Sequence, residues 1–103
     1  MQSLLIMKQY EKNYRRHFGF GDLEEFPCEF GECMKPAHSI HHSTIKGMGG
    51  RKDVDGVEYC VGLCLEHHNQ AHKEPVFNEL LQAFAKHTQM RREWMTRKMM
   101  REL

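Results

Sequence analysis

Six of the chain's eight histidines fall in two short stretches, "HSIHHSTIKGMGGRKD" (His38 to Asp53) and "CLEHHNQAHK" (Cys64 to Lys73). Imidazole is both a common metal ligand and a base that titrates near physiological pH, so metal binding and proton transfer are the chemistries these stretches could perform. If the second stretch is helical, successive residues turn by about 100° and positions four apart nearly eclipse. His68 and His72 then share a face, with a spacing that suits two imidazoles on one metal. His67 points elsewhere.

His67 pairs instead with Cys64 as Cys-x2-His at the start of the same helix, and Cys28-x4-Cys33 supplies a second short-spaced pair. Together the four make a tetrahedral zinc set with no open position, which marks the zinc as structural. Cys60, four residues before Cys64, is the competitor, since a four-cysteine site using it would release His67. We prefer Cys60 as a small apolar residue on a strand. The four cysteines could also form two disulfides in a secreted protein, but in a reducing compartment thiols beside histidines point to metal.

His41 and His42 are adjacent, and adjacent side chains of a strand point to opposite faces, so both do not easily ligate one metal. A natural division gives His41 to the cation held by His68 and His72 and leaves His42 as a general base. His38 reads as structural or exposed.

These residues need elements to position them. Tyr10, Tyr14 and Phe18 recur every four positions, with Leu4 and Met7 on a similar face, which predicts a helical arm over residues 3–18 that stops at Gly19 and Gly21. The stretch "FGDLEEFPCEFGECMKPAH" holds Pro27, Gly31 and Pro36 and reads as a loop carrying Cys28 and Cys33. Residues 38–45 and 57–64 have strand composition and flank the Gly-rich "KGMGGRKDVDG", which together predict a β-hairpin with a long tip. A polar helix follows from Leu65 to about Lys73, and Pro75 opens a new one. In that helix Phe77, Leu80, Leu81 and Phe84 form an apolar stripe. The tail mixes Arg91, Arg92, Arg97, Lys98 and Arg101 with Trp94 and four methionines, and no clean basic face emerges.

The expected fold class is therefore α+β: a small hairpin-plus-helix core with an N-terminal helical arm and a C-terminal helix. The expected organisation is a single domain over 1–103, with arm 1–26, metal-stabilised core 27–74 and C-terminal helix 75–103. A chain of 103 residues buries roughly 60–65% of its unfolded surface, so metal cross-links would help a modest core. Hydrophobic content of 40% and charged content of 28% are ordinary globular values. A formal charge of +1 does not by itself announce a nucleic-acid partner, so any such function rests on local clusters or bound cations. The opening "MQSLLIMKQYEKNYRR" lacks a basic n-region and a small-residue cleavage site, and no run approaches the ~18 apolar residues of a membrane span. The expectation is a cytoplasmic protein with no membrane partner.

The string "IHHSTIKGMGGRK…YCVGLCLEHHNQAH", flanked by Cys28-x4-Cys33, resembles the HNH nucleases, whose site is a ββα-metal fold of hairpin plus helix. The likeness runs from about Cys28 to His72. It implies a DNA endonuclease that hydrolyses phosphodiester bonds, nicking or cutting both strands. In that reading His41, His68 and His72 ligate a divalent cation such as Mn, Ni, Co or Mg, and His42 deprotonates the attacking water. The chain departs from the pattern at Tyr59, which stands where the family carries its central asparagine, about five residues before Cys64. Lys46, Arg51 and Lys52 bracket Gly47, Gly49 and Gly50 at the hairpin tip and are the candidate phosphate contacts. A homodimer would let so small a nuclease address both strands.

The rival reading is a non-catalytic zinc module for binding nucleic acid or protein. A two-cysteine, two-histidine finger fits poorly, because 33 residues separate Cys33 from His67 where such fingers have about 12. That reading also leaves His41, His42, His68 and His72 without a task.

Overall fold

A computed structural model describes residues 7–42 and 56–101. Its elements run in the order α1 (Gln9–Phe18), β1 (Ser39–His42), a 3-10 turn (Val57–Tyr59), β2 (Cys60–Leu63), α2 (Leu65–Lys73), α3 (Pro75–Ala85) and α4 (Thr88–Arg101). The fold is a small α+β arrangement of an antiparallel two-stranded sheet and helices, with α2 leaving the end of β2 directly.

The strands pair in the register Ser39↔Leu63, Ile40↔Gly62, His41↔Val61 and His42↔Cys60. Because side chains alternate across a strand, this register sorts the hairpin into two faces. Val61 and Leu63 pack with Cys28, Cys64, Ala71, Phe77, Leu81 and Ala85 on the α2 and α3 side. Cys60 and Ile40 pack with Tyr14, Phe20, Phe26 and Met95 on the α1 and α4 side. Gly62 lies where the second face is tightest: a Cβ there would meet Tyr14 Oη at 2.5 Å and Phe26 Cε2 at 2.9 Å. Only a residue without a side chain lets both rings approach the strand.

Helix α1 ends at Gly19, whose left-handed φ of 78° turns the chain as expected. Tyr14 is its fully buried residue, while Tyr10 and Phe18 pack at the edge of the aromatic cluster. Residues 26–37 then fold back on themselves: Cys28 N–H donates to Lys35 O and Ala37 N–H to Phe26 O, both at 2.8 Å. This is the loop that carries both cysteines.

Three sequence expectations need correction. Val57–Tyr59, which read as strand, form the 3-10 turn that delivers the chain into β2, with Tyr59 N–H on Gly56 O at 3.1 Å. Leu80 stands 54% exposed, and Ala85 joins Phe77 and Leu81 as the buried stripe of α3. The segment from 75 onward is two helices, because Ala85 O, which a continuous helix would use internally, accepts from Arg91 Nη1 at 2.5 Å. Pro75 does open α3, and Glu74 before it is extended (φ −118°, ψ 105°), as a residue preceding proline prefers.

A buried ion pair joins the two faces. Arg91 and Glu29 are each 1% exposed, and Arg91 Nε and Nη2 reach the two Glu29 oxygens at 2.8 and 2.9 Å. Glu29 also accepts from Tyr14 Oη at 2.8 Å and Gly62 N–H at 3.1 Å. Arg91 also donates to Val57 O and Cys60 O, and its guanidinium lies between the rings of Phe18 and Phe84. Burial disfavours the guanidinium charge, and the Glu29 bonds more than offset it, so the Arg91 pKa ends above its ordinary value. Among the described residues, no helix is long and apolar enough to cross a membrane.

Candidate metal centres

The first group is Cys28, Cys33, Cys64 and His67, whose ligand atoms all lie within 4.8 Å of one another. His67 Nδ1 stands 3.4 Å from Cys28 Sγ and 3.2 Å from Cys64 Sγ. Ligands on a tetrahedral zinc with ordinary Zn–S and Zn–N bonds sit about 3.6 Å apart, so the spacing fits a zinc-sized cation. Two elements build the site. The 26–37 loop presents Cys28 and Cys33, and the first turn of α2 presents Cys64 and His67. Cys64 is the N-cap of α2 and its sulfur also accepts from His67 N–H at 3.5 Å, so the positive end of the helix faces that sulfur.

Burial pushes the Cys28 thiol up to about 12, against backbone N–H groups of Cys64 and Phe30 that pull it down. A cation entering the group must displace that proton, which makes uptake pH-dependent. Cys60 is not in this group: the strand alternation turns it to the opposite face, against Tyr14.

Helix α4 grips the same loop. Lys98, fully buried, donates through Nζ to Cys28 O at 2.7 Å and Cys33 O at 3.0 Å. Trp94 Nε1 donates to Gly31 O at 3.1 Å, and Arg101 pairs with Glu32 at 2.7 Å. Burial lowers the Lys98 pKa, and the nearby Cys28 and Cys33 oppose that shift. Sequence reading assigned Lys98 no structural task, although its spacing of seven from Arg91 places both on one helical face.

The second group is His41, His68 and His72, again with ligand atoms within 4.8 Å of one another. His68 Nε2 and His72 Nε2 stand 3.0 Å apart, and the His41 ring lies 5.3 and 5.2 Å from theirs, centroid to centroid. The i, i+4 pair on α2 meets His41 of β1 because β1 pairs with β2, and β2 runs straight into α2. Burial lowers the His41 pKa, with the charges of His72 and His42 adding to it. Burial also lowers that of His68, helped by His41, His72 and His38. Both shifts favour the neutral imidazole, the form that can bind a cation.

Two hydrogen-bonding partners of these rings escaped sequence reading. Ser39 Oγ meets His68 Nδ1 at 2.5 Å, and Ser39 lies two residues before His41, on the same strand face. Asn78 Oδ1 meets His41 Nε2 at 2.9 Å from α3. Nothing in the sequence spacing signals that contact, which depends on how α3 docks. Tyr59 ends the 3-10 turn.

His42 turns to the other face, where its ring stacks on Tyr10 of α1 with centroids 4.4 Å apart and planes 19° from parallel. A cleft of about 550 Å³ opens beside both histidine faces, between Tyr10, Glu11, Arg15, His42 and His72. Glu24 and Glu25 also line it. His38 is exposed at the head of β1, its ring 6.4 Å from that of His68. Lys46, Arg51 and Lys52 lie outside the described residues. No protein-family model, curated protein or solved structure matches the chain.

Proposed function

We propose that this chain is a metal-dependent endonuclease of the HNH type, hydrolysing phosphodiester bonds in DNA. The observation that carries the reading is the convergence of His41, His68 and His72 at a strand-to-helix junction, with His42 beside them on a cleft. The residue order that resembles the HNH nucleases supports it as well.

In this reading the four residues of the cysteine group hold structural zinc, and the three imidazoles hold a divalent cation with coordination positions left over. That cation supplies Lewis acidity, stabilising charge on the scissile phosphate and the leaving oxygen. His42 takes the proton of the attacking water. The Tyr10 stack limits how its ring can turn, so its nitrogens keep a fixed approach. Glu11, Glu24 and Glu25 line the cleft together with Arg15, so the phosphate approaches the histidines and not the carboxylates. Lys46, Arg51 and Lys52 hold the flanking backbone.

The test is incubation of purified protein with supercoiled plasmid across Mg²⁺, Mn²⁺, Co²⁺ and Ni²⁺. Imidazole suits the transition ions, so cleavage is expected to be better with Mn²⁺ or Ni²⁺ than with Mg²⁺. His42→Ala should keep metal and DNA binding and lose about 10²–10⁴ in rate, whereas His68→Ala should lose the cation itself. Intact plasmid with every cation would refute the reading.

A further inference from the structure

We infer that Asn78 is a positioning residue of the three-histidine centre: its side-chain oxygen fixes the His41 tautomer, so that His41 meets the cation through Nδ1. This rests on the reading that His41, His68 and His72 share a cation, and not on DNA cleavage.

An imidazole nitrogen has one in-plane direction in which it can either donate a proton or bind a metal. At His41 Nε2 that direction holds Asn78 Oδ1, 2.9 Å away. An amide oxygen only accepts, so Nε2 carries the proton and Nδ1 carries the lone pair. A cation placed on Nε2 at an ordinary bond length of roughly 2.1 Å would overlap the amide oxygen. His68 is arranged the other way: Ser39 occupies its Nδ1 at 2.5 Å, and its Nε2 faces His72 Nε2 at 3.0 Å. The centre is therefore built from one δ-nitrogen from the strand and two ε-nitrogens from the helix.

The bond to Asn78 has a second effect. His41 is 7% exposed, held between β1, α2 and α3, and Asn78 is the described partner that ties it to α3. The carbonyl dipole draws on the Nε2 proton and raises the basicity of Nδ1. Outer partners of this kind are worth about 10–100-fold in metal affinity. The amide that touches the histidine centre thus comes from α3, some twenty residues after Tyr59 in the chain.

The experiment uses the full chain with zinc in the cysteine group, comparing wild type, Asn78→Leu and Asn78→Asp. Long-range ¹⁵N–¹H correlation of the imidazoles, before a second cation is added, should show His41 protonated at Nε2 in wild type and Asn78→Asp. In Asn78→Leu it should show a mixture. Titration with Co²⁺, followed by its visible absorption, should give Asn78→Leu about 10–100-fold weaker binding, with Asn78→Asp at or above wild-type affinity. One retained zinc per chain and an unchanged fold in Asn78→Leu separate this effect from unfolding. A wild-type His41 protonated at Nδ1 overturns the inference, and so does wild-type Co²⁺ affinity in Asn78→Leu. Neither readout involves DNA, so a failure of the nuclease reading leaves the Asn78 result standing and the reverse also holds.

Discussion

Replacing Glu29 by Gln takes the counter-charge from the Arg91 guanidinium, which is 1% exposed and has no route to water. The magnitude follows from what is left behind. Arg91 donates five hydrogen bonds, two to Glu29 and one each to the carbonyls of Val57, Ala85 and Cys60. The three carbonyl contacts survive, so the cation stays buried with dipoles and no anion around it. Breaking a buried pair from one side costs about 3–5 kcal/mol. Against the ~5–15 kcal/mol that holds a typical domain together, that is a large share. In a chain of this size each kcal/mol moves Tm by roughly 4–8 °C, so Glu29→Gln should melt on the order of 20 °C lower.

Arg91→Met should cost a similar amount, since it strands the Glu29 carboxylate on Tyr14 and the Gly62 N–H alone. The double variant Glu29→Met, Arg91→Met should lose less than the two single losses added together, because neither charge is then left alone. Urea unfolding read by Trp94 fluorescence measures all three, and Trp94 sits on the cysteine loop through Gly31 O. Free zinc must be held constant, because a ligand bound only by the folded state adds to apparent stability. Single variants within ~1 kcal/mol of wild type, or strict additivity in the double, would show that the pair does not join the two faces of the hairpin.

Gly62→Ala should destabilise by about 1–3 kcal/mol, since the new methyl meets Tyr14 and Phe26 rings that have no room to retreat; a wild-type melting curve would contradict the packing described. Burial first, and the Glu29 charge second, raise the Tyr14 phenol well above its ordinary pKa. The unfolded phenol ionises near 10, so this contribution to stability is fully present below about pH 10 and is lost as pH rises towards the folded value. Ultraviolet titration should show a phenolate step that appears only with alkaline unfolding and is missing in Tyr14→Phe. Cys33→Ser should release zinc and unfold or aggregate the chain, and folded, zinc-free wild-type protein would remove the structural role from the cysteine group. On the nuclease reading, replacing Arg51 and Lys52 with Ala should weaken DNA binding equally across sequences and lower the salt slope by about one to two units; an unchanged slope would remove both residues from the phosphate contacts.

Much of the geometry around the candidate centres was legible because it is local. The i, i+4 pair His68 and His72 needs only a helix, and Cys64-x2-His67 needs only its first turn. The division of His41 from His42 needs only a strand. What escaped was set by docking between elements distant in sequence. Arg91 and Lys98 read as tail charges, yet their partners Glu29, Cys28 and Cys33 lie more than 60 residues earlier. Leu80 and Ala85 exchanged roles because the stripe of α3 is rotated towards Ala85, where the helix ends under Arg91. The single C-terminal helix failed for the same reason: helical periodicity continues through residues 86 and 87, but a buried guanidinium claims the Ala85 carbonyl.

The hairpin register also explains how two groups of candidate metal ligands fit into so small a chain side by side. Strand alternation turns Ser39 and His41 towards α2 and α3, and Ile40 and His42 towards α1. One face of the strand pair therefore gathers three imidazoles, one hydroxyl and one amide, while the His42 ring on the other face is held against the Tyr10 ring. Cys64 and His67 stand at the N-cap and in the first turn of α2, directly before His68, so whatever fixes them also fixes the direction in which His68 and His72 project. Lys98 and Trp94 hold the other half of that group from α4. A rigid cysteine centre is thus the mechanical base of the histidine centre, and loosening the loop at Cys28 or Cys33 would blur the ligand geometry at His68 and His72 without touching either residue.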